Sequence, residues 1–132
     1  MCVCARRSFA ALRPITLVMK SFLAQRQLNE VFTGGVGSYA LVNLIIAHLQ
    51  TEQKRSLEAD DLGYTLLSFL HRYGCSLDYQ LQAVSVARGG IVARTCIEGV
   101  KPAQEGKIFI EDPQELRMDV GYVYATCNFS LG

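Results

Sequence analysis

The sequence predicts a mainly helical domain with a small sheet of three short strands, an α+β arrangement. Three observations lead there. Through the first half of the chain, apolar residues recur at three- and four-residue spacing, the period of a helix buried on one face. Beyond Gly74 the period drops to two, in short runs on either side of Gly89-Gly90. The 132 residues, 50% of them hydrophobic, suffice to bury one core and leave no room for a second domain.

The first helix is expected over Arg13 to Leu28. Pro14 suits its first turn, and Ile15, Val18, Met19, Phe22 and Leu23 form one apolar face. A glycine-rich segment, Thr33 to Ser38, follows, with Ser38 placed to cap a second helix from Tyr39 to Gln50. That helix is apolar nearly all round, so it belongs in the core. Thr51 to Asp60 is polar and reads as a surface connection. Asp60 or Asp61 can then cap a third helix carrying Leu62, Leu66, Leu67, Phe69, Leu70 and Tyr73, which Gly74 ends. Ala83 to Val86 and Ile91 to Arg94 are expected to pair as a hairpin across Gly89-Gly90, where glycine permits positive φ. Lys107 to Ile110 is the third strand.

Composition excludes several classes of function. The longest strongly apolar stretch, Tyr39 to Leu49, is interrupted by Asn43 and His48 and falls short of the roughly 20 residues that span a bilayer. Net charge is only +1, yet Arg6, Arg7, Arg13, Lys20 and Arg26 precede the first acidic residue, Glu30. Such a segment can meet phosphates, or it can be an Arg-rich, acid-poor presequence. Pro14 and the helical pattern favour folded structure. Five cysteines at wide spacing make neither a disulfide framework nor paired zinc hooks, which fits a reducing compartment.

Several residues are candidates for a site. Gly34, Gly35 and Gly37, ahead of a helix, form backbone that can approach phosphate, although an ordinary interhelical loop has the same composition. Tyr39 either stacks a base or packs in the core. Lys20 either meets a phosphate or is solvated. Glu111, Asp112 and Glu115 gather at a strand end, where carboxylates bind metal or accept from a base's amino group; a solvated acidic turn is the alternative. Glu58-x-Asp60 has metal-binding spacing but nothing convergent beside it. His48 and His71 are expected as packed or partly exposed helix residues, with no nucleophile assignable by spacing.

The run from Leu12 to Lys20, then LAQRQLNEVFTGGVGSYALVNLIIAHLQ, GYTLLSFLHRYGCSLDY, AVSVARGG, KIFIEDP and Asp119-Val120-Gly121, resembles the central, PAP-associated domain of TRAMP-type, nuclear-surveillance non-canonical poly(A) polymerases. The resemblance covers residues 12–121, between a dissimilar segment at 1–11 and a divergent tail at 122–132. It implies a helical domain with a few short strands, packed against a separate nucleotidyltransferase domain with ATP between them. By this resemblance Lys20 holds the triphosphate, Ser38 bonds phosphate or ribose, Tyr39 stacks on the base, and Asp112 and Glu115 make base-side contacts. Met118 stands where uridine-adding relatives carry histidine and adenine-adding ones asparagine. Ala24 stands where the uridine-adding relatives carry a second lysine. Both departures point away from UTP.

The resemblance further implies that an RNA 3′ end is the acceptor, that a zinc-knuckle RNA-binding protein and an RNA helicase are partners, and that the location is nuclear, with the cytoplasm as the alternative. Mg²⁺ or Mn²⁺ would be held by paired aspartates after a Gly-Ser turn and by a third carboxylate. No such set occurs in this sequence: Gly37-Ser38 has no Asp-x-Asp after it. No residue of the chain is therefore expected to be catalytic or to bind metal, and the chain alone is expected to be inactive, as a truncated or alternatively spliced product. An apolar face for the missing domain should be exposed. The competing readings are a non-catalytic module that binds nucleotide or RNA or docks on a polymerase, and a small helical interaction protein in which the candidate residues lie scattered.

Overall fold

The computed structural model describes residues 3–30, 35–53, 61–100 and 108–120. The first helix, α1, spans Val3–Gln25 and is longer than expected, with Pro14 inside it rather than in its first turn. Proline there forfeits one backbone hydrogen bond. The strong helix formers before it, Ala10, Ala11 and Leu12, keep the helix going. Its end also differs. Gln27, at φ 57°, takes the left-handed position, Leu28 N donates to Leu23 O at 2.8 Å, and Gln27 N donates to Ala24 O at 3.1 Å. This is a Schellman closure without its usual glycine, which is why the helical pattern seemed to continue to Leu28. Ile15, Met19 and Leu23 face the core. Val18, expected on that face, is exposed together with Leu17.

The second helix, α2, spans Ser38–Gln53. Leu41 N donates to Gly37 O at 2.9 Å, so Gly37 is the cap and Ser38 already the first helical residue, one position from expectation. Burial is nearly all round, with Leu41, Leu44 and Ile45 at its centre. Thr51 to Gln53, read as the start of a surface connection, is helical. Thr51 Oγ1 bonds Ala47 O at 2.8 Å and accepts Ile91 N at 3.3 Å, so a tertiary contact extends the helix. Gly34 and the Glu58-x-Asp60 pair lie outside the described residues.

Asp61 is the cap of α3 (Leu62–His71): its carboxylate accepts from Gly63 N at 2.8 Å and Tyr64 N at 3.2 Å. Gly74 does not end the helix. The chain widens into a π-helical turn, Arg72–Ser76, that closes with Leu77 N on Arg72 O at 2.8 Å, and Gly74 keeps ordinary negative φ. Phe69 and Tyr73 from this stretch stack edge to face, 4.9 Å apart, in the core. The Tyr73 hydroxyl donates to Leu44 O at 2.8 Å and ties α3 to α2. Tyr73→Phe should therefore lower stability by about 1 kcal/mol, readable as a lower urea midpoint at unchanged slope.

The sheet has the order β2-β1-β3. Strands β1 (Gln82–Ser85) and β2 (Gly90–Ala93) pair antiparallel as expected, with Ser85 opposite Gly90. Gly89 at φ 90° and Gly90 at φ 126° make the turn possible. A Cβ on Gly90 would also collide with Thr51 Oγ1 and lie 3.0 Å from Ala47 O, so glycine lets the hairpin seat directly on α2. The third strand, β3, is Ile110–Glu111 rather than Lys107 to Ile110, and it runs parallel to β1, pairing Val84 with Ile110 and Ser85 with Glu111. Lys107 lies outside the described residues. The shift follows from burial: Val84, Ser85, Ile110 and Glu111 are all fully enclosed.

Candidate functional site

Two elements far apart in sequence meet at one point. α2 presents Tyr39 at its N-terminal turn, and the loop after β3 presents Asp112. The Tyr39 hydroxyl donates to Asp112 Oδ1 at 2.8 Å across 73 residues. Gln114 N donates to the same oxygen at 2.9 Å. These bonds, the Gln114 amide first and the phenol second, hold the Asp112 carboxyl below its usual range. Reciprocally, accepting that bond makes Asp112 raise the Tyr39 phenol. At neutral pH the pair is thus a carboxylate acceptor and a protonated phenol whose ring orientation is fixed. Tyr39 remains 47% exposed, so the ring is not a core tyrosine.

The loop itself is folded back tightly. Asp112 N donates to Met118 O at 2.8 Å, Met118 N to Glu115 O at 3.1 Å and Val120 N to Ile110 O at 2.9 Å. Glu115, Leu116 and Met118 are exposed along it. Ser38 is exposed beside Tyr39, and Lys20 is exposed on α1, which packs against α2. Neither Lys20 nor Ser38 bonds the Tyr39–Asp112 pair. The structure joins two of the five nucleotide-site candidates, Tyr39 and Asp112, by a hydrogen bond, while Ser38 adjoins Tyr39 in the chain and Glu115 lies three residues after Asp112. Gly35 has a reason internal to the chain: its amide donates to Glu30 O at 2.7 Å, and it packs on the backbone of Leu28 to Glu30. Exposed large apolar side chains include Leu17 and Val18 on α1, Leu62, Tyr64 and Leu67 on α3, Leu81 before β1, and Leu116 and Met118 after β3.

Two polar networks were not foreseen. Glu111, fully buried, accepts from Ser85 Oγ at 2.6 Å, Arg88 Nε at 3.0 Å and Arg117 N at 3.1 Å. Burial pushes its carboxyl up, but Arg88, Ser85 and the Arg117 amide together pull it below the usual carboxylate range. The signal in sequence was an acidic residue closing an apolar run, Ile108-Phe109-Ile110-Glu111, a pattern that a solvated turn also gives. The second network lies toward the other end of α2. His48 Nδ1 accepts from Arg72 Nε at 2.9 Å, and Arg72 also pairs with Glu52. Because the guanidinium can only donate, the ring hydrogen sits on Nε2, 3.0 Å from Ser68 Oγ. The imidazole therefore cannot take a proton from Ser68, and this serine–histidine contact is not a nucleophile and its base. A cleft of about 610 Å³ lies there, lined by Tyr64, Ser68 and Arg72 among others.

Among the described residues no three His, Cys, Asp or Glu side chains converge on a metal position. No described helix is long and apolar enough to cross a membrane. Cys75 and Cys96 are exposed free thiols.

Residues 61–117 match the family model described as Cid1 family poly A polymerase. Over 119 residues the chain is 37% identical to the poly(A) RNA polymerase cid14 of Schizosaccharomyces pombe, covering 86% of this chain and 17% of that protein. In sequence the chain corresponds to a part of the non-canonical poly(A) polymerases. Its fold matches the solved polymerase core of TRAMP, an RNA surveillance complex, with a TM-score of 0.71 at 25% identity, covering 96% of this chain and 42% of that one. A relative named an inactive non-canonical poly(A) RNA polymerase, Trf4-2 of Drosophila melanogaster, is 33% identical over 122 residues, 87% of this chain and 30% of that protein. The chain thus spans about a sixth of the Schizosaccharomyces pombe polymerase and under a third of the Drosophila relative.

Proposed function

We propose that the Tyr39–Asp112 pair is the base-facing wall of an ATP site, and that the chain is the nucleotide-recognition part of a polymerase that adds adenylates to RNA 3′ ends. The hydrogen bond between these two side chains carries the reading. It turns an exposed tyrosine into a stacking surface of fixed orientation and sets a carboxylate acceptor at its edge. A base stacked on such a ring gains roughly 1–3 kcal/mol. The exocyclic amine of adenine is a donor that Asp112 can accept, whereas uracil presents a carbonyl at that place. Lys20 would meet the triphosphate and Ser38 the phosphate or ribose, while Glu115 lies on the base side.

Divalent metal and the carboxylates that hold it would come from a nucleotidyltransferase domain outside this chain. When bound, the metal would activate the primer hydroxyl and stabilise the leaving pyrophosphate. The contribution of these 132 residues is to bind and orient the nucleotide. A nuclear, RNA-surveillance setting with a zinc-knuckle RNA-binding protein and a helicase belongs to the same reading, supported by the likeness to the TRAMP polymerase core.

Calorimetric titration with ATP and with UTP, in Mg²⁺, tests this. ATP should bind more tightly than UTP, and Tyr39→Ala should weaken ATP binding by about tenfold or more. Binding of neither nucleotide would instead support a second reading, a non-catalytic module that docks on an intact polymerase. That reading is favoured by one observation, the 33% identity to a relative named inactive.

A further inference from the structure

We propose that Arg88 and the buried Glu111 are positioning residues, which together hold the loop after β3 where the Asp112 carboxylate meets the Tyr39 hydroxyl. The inference rests on the reading of Tyr39 and Asp112 as the base-facing pair. Glu111 has no exposed surface, and both of its oxygens are engaged. Oε1 accepts from Ser85 Oγ and Arg88 Nε; Oε2 accepts from Arg117 N at 3.1 Å and Arg88 Nη2 at 3.4 Å. Burying a carboxylate is a poor means of gaining stability, because the cost of desolvating it offsets its attraction to Arg88, whose side chain stays 34% exposed. What this pair supplies is direction.

Each partner sits where it can transmit position. Arg88 lies in the β1–β2 turn, where its own amide donates to Ser85 Oγ at 3.2 Å and its guanidinium also donates to Cys96 O at 3.1 Å. That hairpin is fixed to α2 by the close approach at Gly90, by Ile91 N on Thr51 Oγ1 and by Gln50 Nε2 on Val86 O at 3.2 Å. On the other side, Glu111 immediately precedes Asp112, and its Oε2 takes the amide of Arg117, a residue held at φ 71°. A left-handed arginine is a costly conformation that needs such a tether. Glu111 also bridges Asp119 through the backbone, and Ile110 N donates to Asp119 Oδ1 at 3.1 Å. The result is a closed circuit: α2 seats the hairpin, the hairpin presents Arg88, Arg88 holds Glu111, Glu111 sets the loop, and the loop returns Asp112 to Tyr39 on α2.

The test uses this chain, with carbon-13 titration of the Asp112 carboxyl and amide hydrogen exchange read by NMR in Arg88→Met, Tyr39→Phe and the double variant. Arg88→Met should raise the Asp112 titration toward the ordinary aspartate range, as Tyr39→Phe should, and the double variant should add no further rise. Amides of Arg117, Met118 and Val120 should exchange about tenfold faster or more, while those of Leu44 and Ile45 in α2 keep their rates. A folded Arg88→Met in which Asp112 stays depressed, or in which all these amides accelerate together, would overturn the proposal, since the second result is that of stability alone. If Arg88→Met does not fold, Arg88→Lys serves: it keeps the charge but loses the fork, and loop exchange unchanged from the parent would equally overturn it. ATP calorimetry on the parent chain separates the two readings. Loop release without any ATP binding refutes the nucleotide site and leaves the positioning circuit standing.

Discussion

Gly35→Ala should destabilise the protein by roughly 3 kcal/mol or more, enough to leave a marginally stable domain partly unfolded at room temperature. A Cβ there would collide with the Leu28 carbonyl oxygen and stand 2.6 Å from its carbon and 2.8 Å from Glu30 N. These are backbone atoms, and they cannot rotate aside as the tip of a side chain would. Relief requires separating the segment after α1 from the entry to α2, which would break Gly35 N on Glu30 O and Val36 N on Leu28 O, both 2.7 Å. Gly63→Ala is the control. Its Cβ would meet only Asp61 Oδ1, at 3.2 Å, inside a helix where alanine is the better former. Urea unfolding of both variants checks the expectation. Comparable midpoints would mean that the glycine at 35 is not required by packing and would return it to consideration as a phosphate-approaching residue.

Stability should also fall as pH drops from about 6.5 to about 4, by on the order of 3 kcal/mol from His48 alone. Burial, and next the Arg72 charge, lower this imidazole from 6.5 to about 4. Between those values the unfolded chain takes up a proton that the folded chain refuses, so the equilibrium moves toward unfolding. Below about 4 both states are protonated at this position and the loss stops growing. The carboxyls of Glu111 and Asp112, which are depressed in the folded state, add their own losses as pH falls through the ordinary carboxylate range, overlapping only the acid end of this window. His48→Gln isolates the effect. Its amide can accept from Arg72 and donate to Ser68 but carries no titrating group. Urea unfolding midpoints between pH 7 and 5 should fall in the parent and stay nearly level in His48→Gln; parallel slopes would refute the assignment.

Much of the fold was legible because local signals and tertiary packing agree. Asp61 before a helix, Gly89-Gly90 between two alternating runs, and the apolar faces of α2 and α3 each point to one structure. Disagreement arose where tertiary contacts override local chemistry. Pro14 reads as a start yet lies mid-helix, Gln27 does the work usually left to glycine, and Gly74 is carried through a π turn whose tyrosine is anchored on α2. Tyr39 and Asp112 were singled out through the resemblance, and the structure bonds them to each other. Spacing could not have paired them, because nothing local links an aromatic at a helix start to an acid so far along the chain. Glu111 was read only as one of three carboxylates at a strand end, and its burial was not foreseen: a buried carboxylate and a solvated one have the same letter, and only the position of Arg88 in space tells them apart.

The parallel pairing of β3 with β1 bears on the order of assembly. The hairpin and α3 close over short distances in the chain and can form early, whereas β3 must return to β1 from beyond the hairpin, and Asp112 must find a partner 73 residues before it. On loop entropy alone the Tyr39–Asp112 contact is expected among the later ones to form and the earlier ones to open, which amide hydrogen exchange around residues 112–120 would check. A nucleotide that bridges Tyr39 and Asp112 would act as a late-arriving fastener for the sequence-distant half of the sheet. Ligand occupancy and protection of that edge from unfolding would rise together.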